Sequence, residues 1–124
     1  MNITRIQREF AEAQRVFASL VLQPTTDGKV YAKTALQTAS GTYVLSIKFP
    51  ESYPNEMPRV FVDAPAITVA PHRYNAGNIC YMHPTMWNPG IHDLTFVIGR
   101  AAKWLNKYDI WRVRGTWPGA EIKH

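Results

Sequence analysis

Three prolines constrain the fold of this chain more than any other feature, because Pro50, Pro54 and Pro58 recur at intervals of four residues. A proline ring fixes φ and removes the backbone N–H, so neither a helix interior nor a central strand runs through such a segment. Tyr53 lies in the middle of it. The sequence therefore predicts an ordered, proline-stiffened loop that separates the regular structure before Pro50 from that after Pro58.

The segment before this loop changes from a helical to an extended apolar period. Apolar residues spaced three and four apart predict a helix over residues 4–22, and Thr4 with Gln7 has the spacing of a capping box. Alternating apolar and polar residues then predict strands over residues 30–38 and 43–49. The two strands follow each other closely enough to pair as a hairpin or meander.

The segment after the loop contains one more strand, a long irregular stretch and a second helix. Residues 59–63 predict a short strand, whereas residues 66–90 lose all periodicity, and loops of that length are usually functional. Asp93 then caps a helix that runs to about Tyr108 or Trp111. This order predicts one α+β domain over residues 1–124: an N-terminal helix, an antiparallel meander of three or four strands, a long active-site loop and a C-terminal helix.

Length, charge and cysteine content exclude several classes of function. The chain has 124 residues, which suffices for one core. No apolar run approaches the roughly 18 residues that a membrane span needs. The net charge of +5 comes from dispersed cations rather than from a basic arm, so we expect no dedicated nucleic-acid binding. A single cysteine forms no internal disulfide, which fits a reducing cytoplasm.

The one cysteine, Cys80, lies within the irregular stretch, and His72, His83 and His92 lie near it in sequence. A thiol is a strong nucleophile, and an imidazole serves as a base or a proton donor near neutral pH. A lone cysteine is also a common buried hydrophobic residue, so this interpretation stays open beside the catalytic one. The motifs around Cys80 therefore determine whether the catalytic or the buried interpretation is favoured.

Three short motifs follow one another along the chain. They are Phe49-Pro50-x-x-Tyr53-Pro54-x-x-x-Pro58, then Gly77-x-Ile79-Cys80, then Trp87-Asn88-Pro89, seven residues past Cys80. Their order resembles that of the ubiquitin-conjugating enzyme family, in which a tyrosine-proline loop follows the meander and a Gly-x-Ile-Cys sequence ends in the nucleophile. The resemblance covers almost the whole chain. It implies the fold of that family (the UBC fold) and an acyltransferase with Cys80 as its nucleophile.

The end of the chain indicates one branch of this family. It carries Trp111, Gly115, Trp117, Pro118, Gly119, Glu121 and His124. This pattern resembles the small stand-alone conjugating enzymes of bacterial type II CBASS antiphage operons. The resemblance implies a CD-NTase-type nucleotidyltransferase whose C-terminus is captured as a thioester on Cys80. A related set of bacterial operons implies instead a ubiquitin-like protein that ends in glycine, and the sequence separates the two only weakly.

The sequence departs from the eukaryotic family at one position near the nucleophile. Those enzymes carry an asparagine where His72 stands here, eight residues before Cys80. We expect His72 to donate to the oxyanion, to lower the pKa of Cys80 or to act as a base, with a loop-stabilising hydrogen bond as the structural alternative. His83 is a candidate base for the incoming lysine, or a surface-loop residue. For Asn75 and Asn78 a turn-forming role is favoured.

Two other classes of function stand beside acyl transfer. One is a non-catalytic binding module on the same fold, which the presence of Cys80 disfavours. The other is a zinc site made from Cys80 with His72, His83 and His92, whose spacings match no common zinc signature. The predicted transferase needs no metal and no cofactor. It needs an exposed thiol, a groove for an extended peptide, and a lysine amine or a second thiol as acceptor.

Overall fold

The computed structural model describes residues 1–119. Over this part of the chain, four antiparallel strands lie between two α-helices in sequence. The elements are α1 (Ile3–Gln14), β1 (Val21–Pro24), β2 (Val30–Thr38), β3 (Gly41–Lys48), β4 (Arg59–Ala64), a 3₁₀ turn (Pro84–Met86) and α2 (Leu94–Arg114). This order confirms the predicted α+β class and the predicted meander, which has four strands.

The four strands pair in sequence order, each antiparallel to the next. The β2–β3 hairpin has the longest register, from Tyr31 opposite Lys48 to Thr38 opposite Gly41. Side chains of both strands alternate between a buried and an outer face, as a period of two requires. The buried apolar core includes Ala32, Leu36, Tyr43, Leu45 and Ile47 from the sheet and Val97, Ile98, Ala101 and Leu105 from α2.

The first helix is shorter than the apolar spacing predicts. α1 ends at Gln14, and Val21–Pro24 forms the edge strand β1 instead of a last helical turn. Leu20 is fully buried, but it enters the core from a turn in which its N–H donates to the Phe17 carbonyl at 3.0 Å. The prediction of a helix over residues 4–22 is therefore wrong beyond Gln14, because residues 15–20 form turns and the backbone pairs with β2 from Val21 onward.

One of the two predicted helix caps is correct. Asn2, rather than Thr4, caps α1, since its side chain accepts a hydrogen bond from the Arg5 N–H at 3.1 Å. Asp93 caps α2 as predicted, and its Oδ1 accepts from the Phe96 N–H at 2.9 Å. Each cap satisfies a backbone donor that the first helical turn leaves without an intrahelical partner.

The second helix continues beyond its predicted end near residue 108 or 111. It ends at Arg114, where Gly115 adopts the left-handed conformation with φ of 76° and donates its N–H to the Trp111 carbonyl at 2.7 Å. Glycine is favoured at such a position because it lacks a Cβ. Neither helix within residues 1–119 combines the length and the apolar character that a bilayer crossing demands.

The proline segment forms the ordered loop that the sequence predicts. Turns connect β3 to β4, and one of them is closed by a hydrogen bond from the Tyr53 N–H to the Pro50 carbonyl at 2.9 Å. The indole N–H of Trp87 donates to the Pro54 carbonyl at 2.8 Å. The segment around Trp87 therefore packs on the proline loop.

A buried carboxylate ties α1 to the proline loop and to α2. Glu9 is 2% exposed, and its Oε1 accepts from the Tyr53 hydroxyl at 2.5 Å and from the Leu94 N–H at 2.8 Å. Arg5 bonds the second carboxylate oxygen and lies over the Tyr53 ring. These four residues are called the Glu9 cluster below. Tyr53 thus has a structural role in connecting the proline loop to α1.

Candidate active site

Cys80 lies at the end of a short hairpin within the long irregular stretch. The Tyr74 N–H donates to the Asn78 carbonyl at 2.9 Å, and the Gly77 N–H donates to the Tyr74 carbonyl at 2.9 Å. Gly77 has φ of 97°, a conformation that this tight turn requires and that glycine tolerates. The Cys80 N–H donates to the His72 carbonyl at 2.7 Å. Residues 72–80 are called the thiol hairpin below.

The hairpin register places a tyrosine beside the thiol. Arg73 pairs with Ile79 as an antiparallel bridge, so His72 and Tyr74 lie on the same face of the hairpin as Cys80. The Tyr74 hydroxyl donates a hydrogen bond to the Cys80 sulfur at 3.2 Å. Sequence reasoning did not assign Tyr74 a role. The available signal was its even spacing from Cys80 across the turn that contains Gly77.

The thiol hairpin is held against the core from two sides. The Ile79 N–H donates to the Val60 carbonyl of β4 at 2.9 Å. From α2, the indole N–H of Trp104 donates to the His72 carbonyl at 3.1 Å. Trp104 therefore has a structural role at this site. The position of the hairpin depends on the sheet and on α2, which explains why the irregular sequence of this stretch folds into one definite arrangement.

The Cys80 thiol is buried, which corrects the expectation of an exposed nucleophile. The residue has 0% exposure, and its S–H donates to the Met82 carbonyl with an Sγ to oxygen distance of 3.7 Å. Burial raises the pKa of the thiol above its ordinary value, because a low-dielectric environment disfavours the thiolate. The hydrogen bond that Tyr74 donates to the sulfur offsets part of this increase in pKa, because it favours the thiolate. The resting thiol is therefore protonated at neutral pH.

A pocket, called the thiol pocket below, nevertheless opens beside the buried thiol. It has a volume of about 240 Å³ and is lined by His72, Arg73, Tyr74, Asn75 and Cys80. Burial, followed by the hydrogen bond to Cys80, raises the pKa of Tyr74 to about 12, so its hydroxyl remains a proton donor at neutral pH. The structure thus brings Cys80 and His72 to the same pocket and adds a tyrosine hydroxyl on the sulfur.

A larger groove adjoins this pocket and shares Tyr74 with it. Its volume is about 450 Å³, and it lies between the proline loop and the thiol hairpin. Its lining combines aromatic rings, amides and two side chains of opposite charge: Asn55, Glu56, Met57, Pro58, Arg59, Tyr74, Ala76, Asn78, Tyr81, Pro84 and Trp87. Mixed apolar and polar lining of this kind is typical of sites that bind small molecules or peptides.

The third candidate catalytic residue, His83, does not line the thiol pocket. Its Nδ1 accepts from the Thr85 N–H at 3.2 Å and lies 2.8 Å from the Thr85 hydroxyl, so it caps the 3₁₀ turn that begins at Pro84. His92 is engaged elsewhere, since its Nδ1 accepts from the Asn88 N–H at 2.9 Å. Within residues 1–119, no three side chains of His, Cys, Asp or Glu come together as a metal site.

Comparisons with known proteins agree with this geometry. The family model described as "Type II CBASS E2 protein" matches residues 9–124. A curated relative, "Probable ubiquitin-conjugating enzyme E2 17" of Arabidopsis thaliana, is 35% identical over 82 residues, which cover 61% of this chain and 50% of that protein. The chain therefore spans about half the length of this curated relative.

A solved structure supports the fold independently. It is titled "A complex of the Vps23 UEV with ubiquitin" and superposes with a TM-score of 0.60 at 17% identity, covering 86% of this chain and 85% of that chain. At this identity the likeness shows the fold alone. The C-terminal positions Glu121 and His124, which contribute to the sequence resemblance, lie outside the described residues. Because the family model matches nearly the whole chain, this protein belongs to the type II CBASS E2 family and has the UBC fold.

Proposed function

We propose that this protein is an acyltransferase of the ubiquitin-conjugating type that forms a thioester on Cys80 with the C-terminus of a partner protein. The partner is a CD-NTase-type nucleotidyltransferase of an antiphage system, and the acceptor is a lysine amine or a second thiol. One observation carries the proposal: the Tyr74 hydroxyl donates to the Cys80 sulfur in a pocket that His72 also lines. The proposal includes the cytoplasmic location expected from the single cysteine.

The chemistry consists of two acyl transfers. In the first, the Cys80 thiol releases its proton to solution and the thiolate attacks the carbonyl carbon of an activated donor. A C–S bond forms, the bond from that carbon to the donor's leaving group breaks, and the leaving group takes up a proton from solution. In the second, an amine attacks the same carbonyl, a C–N bond forms and the C–S bond breaks. The amine loses a proton, and Cys80 returns to its thiol form. Both tetrahedral intermediates carry an oxyanion that hydrogen-bond donors stabilise.

Each candidate residue has a distinct role in this scheme. Tyr74 donates to the sulfur, which stabilises the thiolate both before attack and when it leaves. His72 donates to the oxyanion or accepts the proton of the incoming amine, since both reacting atoms meet in the pocket that it lines. His83 enters the proposal only through Nε2, because Nδ1 caps the 3₁₀ turn.

Burial of the thiol gives the proposed enzyme a protected resting state. With 0% exposure, Cys80 meets a donor only after Tyr74, which is half-buried at the pocket, shifts its side chain. The adjoining groove offers a surface for an extended peptide, whose binding supplies the free energy for this shift. A raised thiol pKa also limits oxidation and side reactions, because the thiolate is the reactive form.

A second candidate function concerns a ubiquitin-like protein, which this chain either conjugates or binds without forming a covalent bond. The observation in its favour is the solved structural neighbour, a UEV protein in complex with ubiquitin. The two functions differ in their need for sulfur. Conjugation requires Cys80, whereas a binding module of the same fold works without it.

Co-expression with the proteins encoded beside it tests the proposal. We expect non-reducing electrophoresis and intact-mass spectrometry to show an adduct that thiols cleave and that Cys80→Ala abolishes. Cys80→Ser is expected to accumulate an oxyester that resists thiols. A complex that contains no covalent bond and still forms with Cys80→Ala would support the binding module instead, and an adduct that persists in Cys80→Ala would contradict Cys80 as the site of attachment.

A further inference from the structure

Three contacts from three parts of the chain converge on His72. Its carbonyl accepts from the Cys80 N–H at 2.7 Å and from the Trp104 indole N–H at 3.1 Å. Its imidazole ring meets the ring of Trp117 edge to face, with centroids 5.0 Å apart and an interplanar angle of 63°. The hairpin and α2 therefore hold the backbone of His72, and Trp117 contacts its side chain.

The backbone of His72 needs such support. Its φ is 55°, and within residues 1–119 no other non-glycine residue has a positive φ. A side chain in the left-handed region is disfavoured by contact between Cβ and the backbone, so this conformation persists only where the surroundings determine it. Strained residues of this kind cluster at functional sites. The contacts that fix the imidazole of His72 are therefore relevant to function.

Trp117 reaches His72 because the chain reverses after α2. The left-handed Gly115 ends the helix, and Gly119 then lies so close to Lys107 that an added Cβ would stand 3.5 Å from its Nζ. Trp117 is 6% exposed and packs on the Trp104 ring with centroids 5.4 Å apart. The end of the described chain thus returns along α2 to the thiol hairpin, which is distant from it in sequence.

From this arrangement we infer that Trp117 is a positioning residue, whose ring sets the orientation of the His72 imidazole in the thiol pocket. An aliphatic side chain of similar bulk fills the same space but offers no flat ring for an edge-to-face contact. Aromatic character at residue 117, and not apolar volume alone, is therefore required. The inference rests on the proposed function only for its kinetic consequence, because the orientation of the imidazole is measurable without turnover.

The test compares Trp117→Leu with Trp117→Phe. Both side chains are apolar and smaller than that of Trp, but Leu offers no ring and Phe keeps one. The control is Trp111→Leu, because Trp111 lies on the same helix-terminal region and stacks on Tyr108 at 6.0 Å, away from the thiol pocket. Each variant is measured for unfolding in urea, for the NMR signals of the His72 ring, and for the rate of adduct formation with a synthetic peptide thioester ending in glycine.

We expect Trp117→Leu to move the His72 ring signals toward those of a free imidazole and to slow adduct formation by about tenfold or more, since small misplacements of catalytic groups have large effects on rate. Trp117→Phe is expected to restore most of the rate, and Trp111→Leu to leave the His72 signals unchanged at comparable loss of stability. Equal behaviour of the Leu and Phe variants, or unchanged His72 signals in Trp117→Leu, would overturn the inference. If the wild-type protein forms no adduct, the proposed function fails, and the NMR comparison still decides the role of Trp117.

Discussion

The Glu9 cluster and the thiol hairpin both bury an ionisable side chain, but the surroundings of the two side chains differ. Glu9 accepts hydrogen bonds from a tyrosine hydroxyl, a backbone N–H and an arginine, and it is closed off from solvent. Cys80 is equally buried, yet a pocket of about 240 Å³ opens beside it, and its pKa is raised by burial.

The buried side chain of Glu9 stabilises the fold, whereas that of Cys80 is the nucleophile of the proposed function. A buried charge is tolerated when strong donors compensate its desolvation, as at Glu9, and the result is a rigid connection between elements. A buried neutral thiol costs little in stability and retains its proton. In the proposed function, the thiolate forms only when a bound substrate changes this environment.

The largest expected effect is on stability and concerns the Glu9 cluster. Glu9→Ala leaves the hydroxyl of Tyr53, the N–H of Leu94 and the charge of Arg5 without their acceptor. Breaking a buried pair in this way costs about 3 kcal/mol, or more than a hundredfold in the folding equilibrium. Glu12→Ala, on the exposed side of the same helix, is expected to stay within about 0.5 kcal/mol of wild type. Urea unfolding of both variants measures the difference.

A smaller effect is expected on reactivity, and it concerns the hydroxyl on the sulfur. Tyr74→Phe removes the donor to Cys80 but keeps the ring, so the pKa of the thiol rises further and less thiolate is present. Hydrogen bonds to charged groups contribute roughly 1.5–3 kcal/mol, and partial exposure of Tyr74 reduces this. We therefore expect alkylation by iodoacetamide at pH 7.5 to slow roughly three- to tenfold.

The control for this prediction is Tyr31→Phe, on β2 and remote from the thiol, which should alkylate at the wild-type rate. An unchanged rate in Tyr74→Phe would contradict the role assigned to the hydroxyl. A faster rate would indicate that Tyr74 acts mainly by covering the sulfur.

The smallest expected effect is the pH dependence of stability that Cys80 itself produces. The pKa of the Cys80 thiol is raised in the folded protein, whereas in the unfolded chain it is about 8.5. The corresponding stabilisation is complete below the unfolded pKa and is lost as pH rises through the folded pKa, at no more than about 1.4 kcal/mol per pH unit. Cys80→Ala lacks this term. The stability difference between wild type and Cys80→Ala should therefore shrink from pH 8 to pH 10, and a constant difference would contradict the raised pKa.

The strands β2, β3 and β4 were predictable to within a residue or two, whereas β1 and the end of the first helix were not. In β2 and β3 the alternation of side chains reports burial directly, so the boundaries follow from the pattern. Leu20 is buried whether it lies on a helix or in a turn, so helical spacing alone did not reveal where α1 ends. The end of α1 depends on the turns that lead into β1 and on the pairing of β1 with β2, which is a long-range property.

The candidate site was predictable in part for the same reason. The motif order identifies Cys80, and the hairpin brings His72 to the same pocket. His83 does not line that pocket, because Pro84 begins a 3₁₀ turn and His83 becomes its cap. The burial of Cys80 and the contact of Trp117 with His72 depend on how α2 and the residues after it pack against the hairpin, which no local pattern records.

The most direct test of the account is transthiolation from a synthetic peptide that ends in a glycine thioester, incubated with the purified protein and followed by intact-mass spectrometry. We expect one peptide acyl group per chain, located on Cys80, released by excess thiol and absent from Cys80→Ala. A wild-type protein that retains a free thiol and gains no peptide mass, under conditions where small alkylating reagents do modify Cys80, would contradict it.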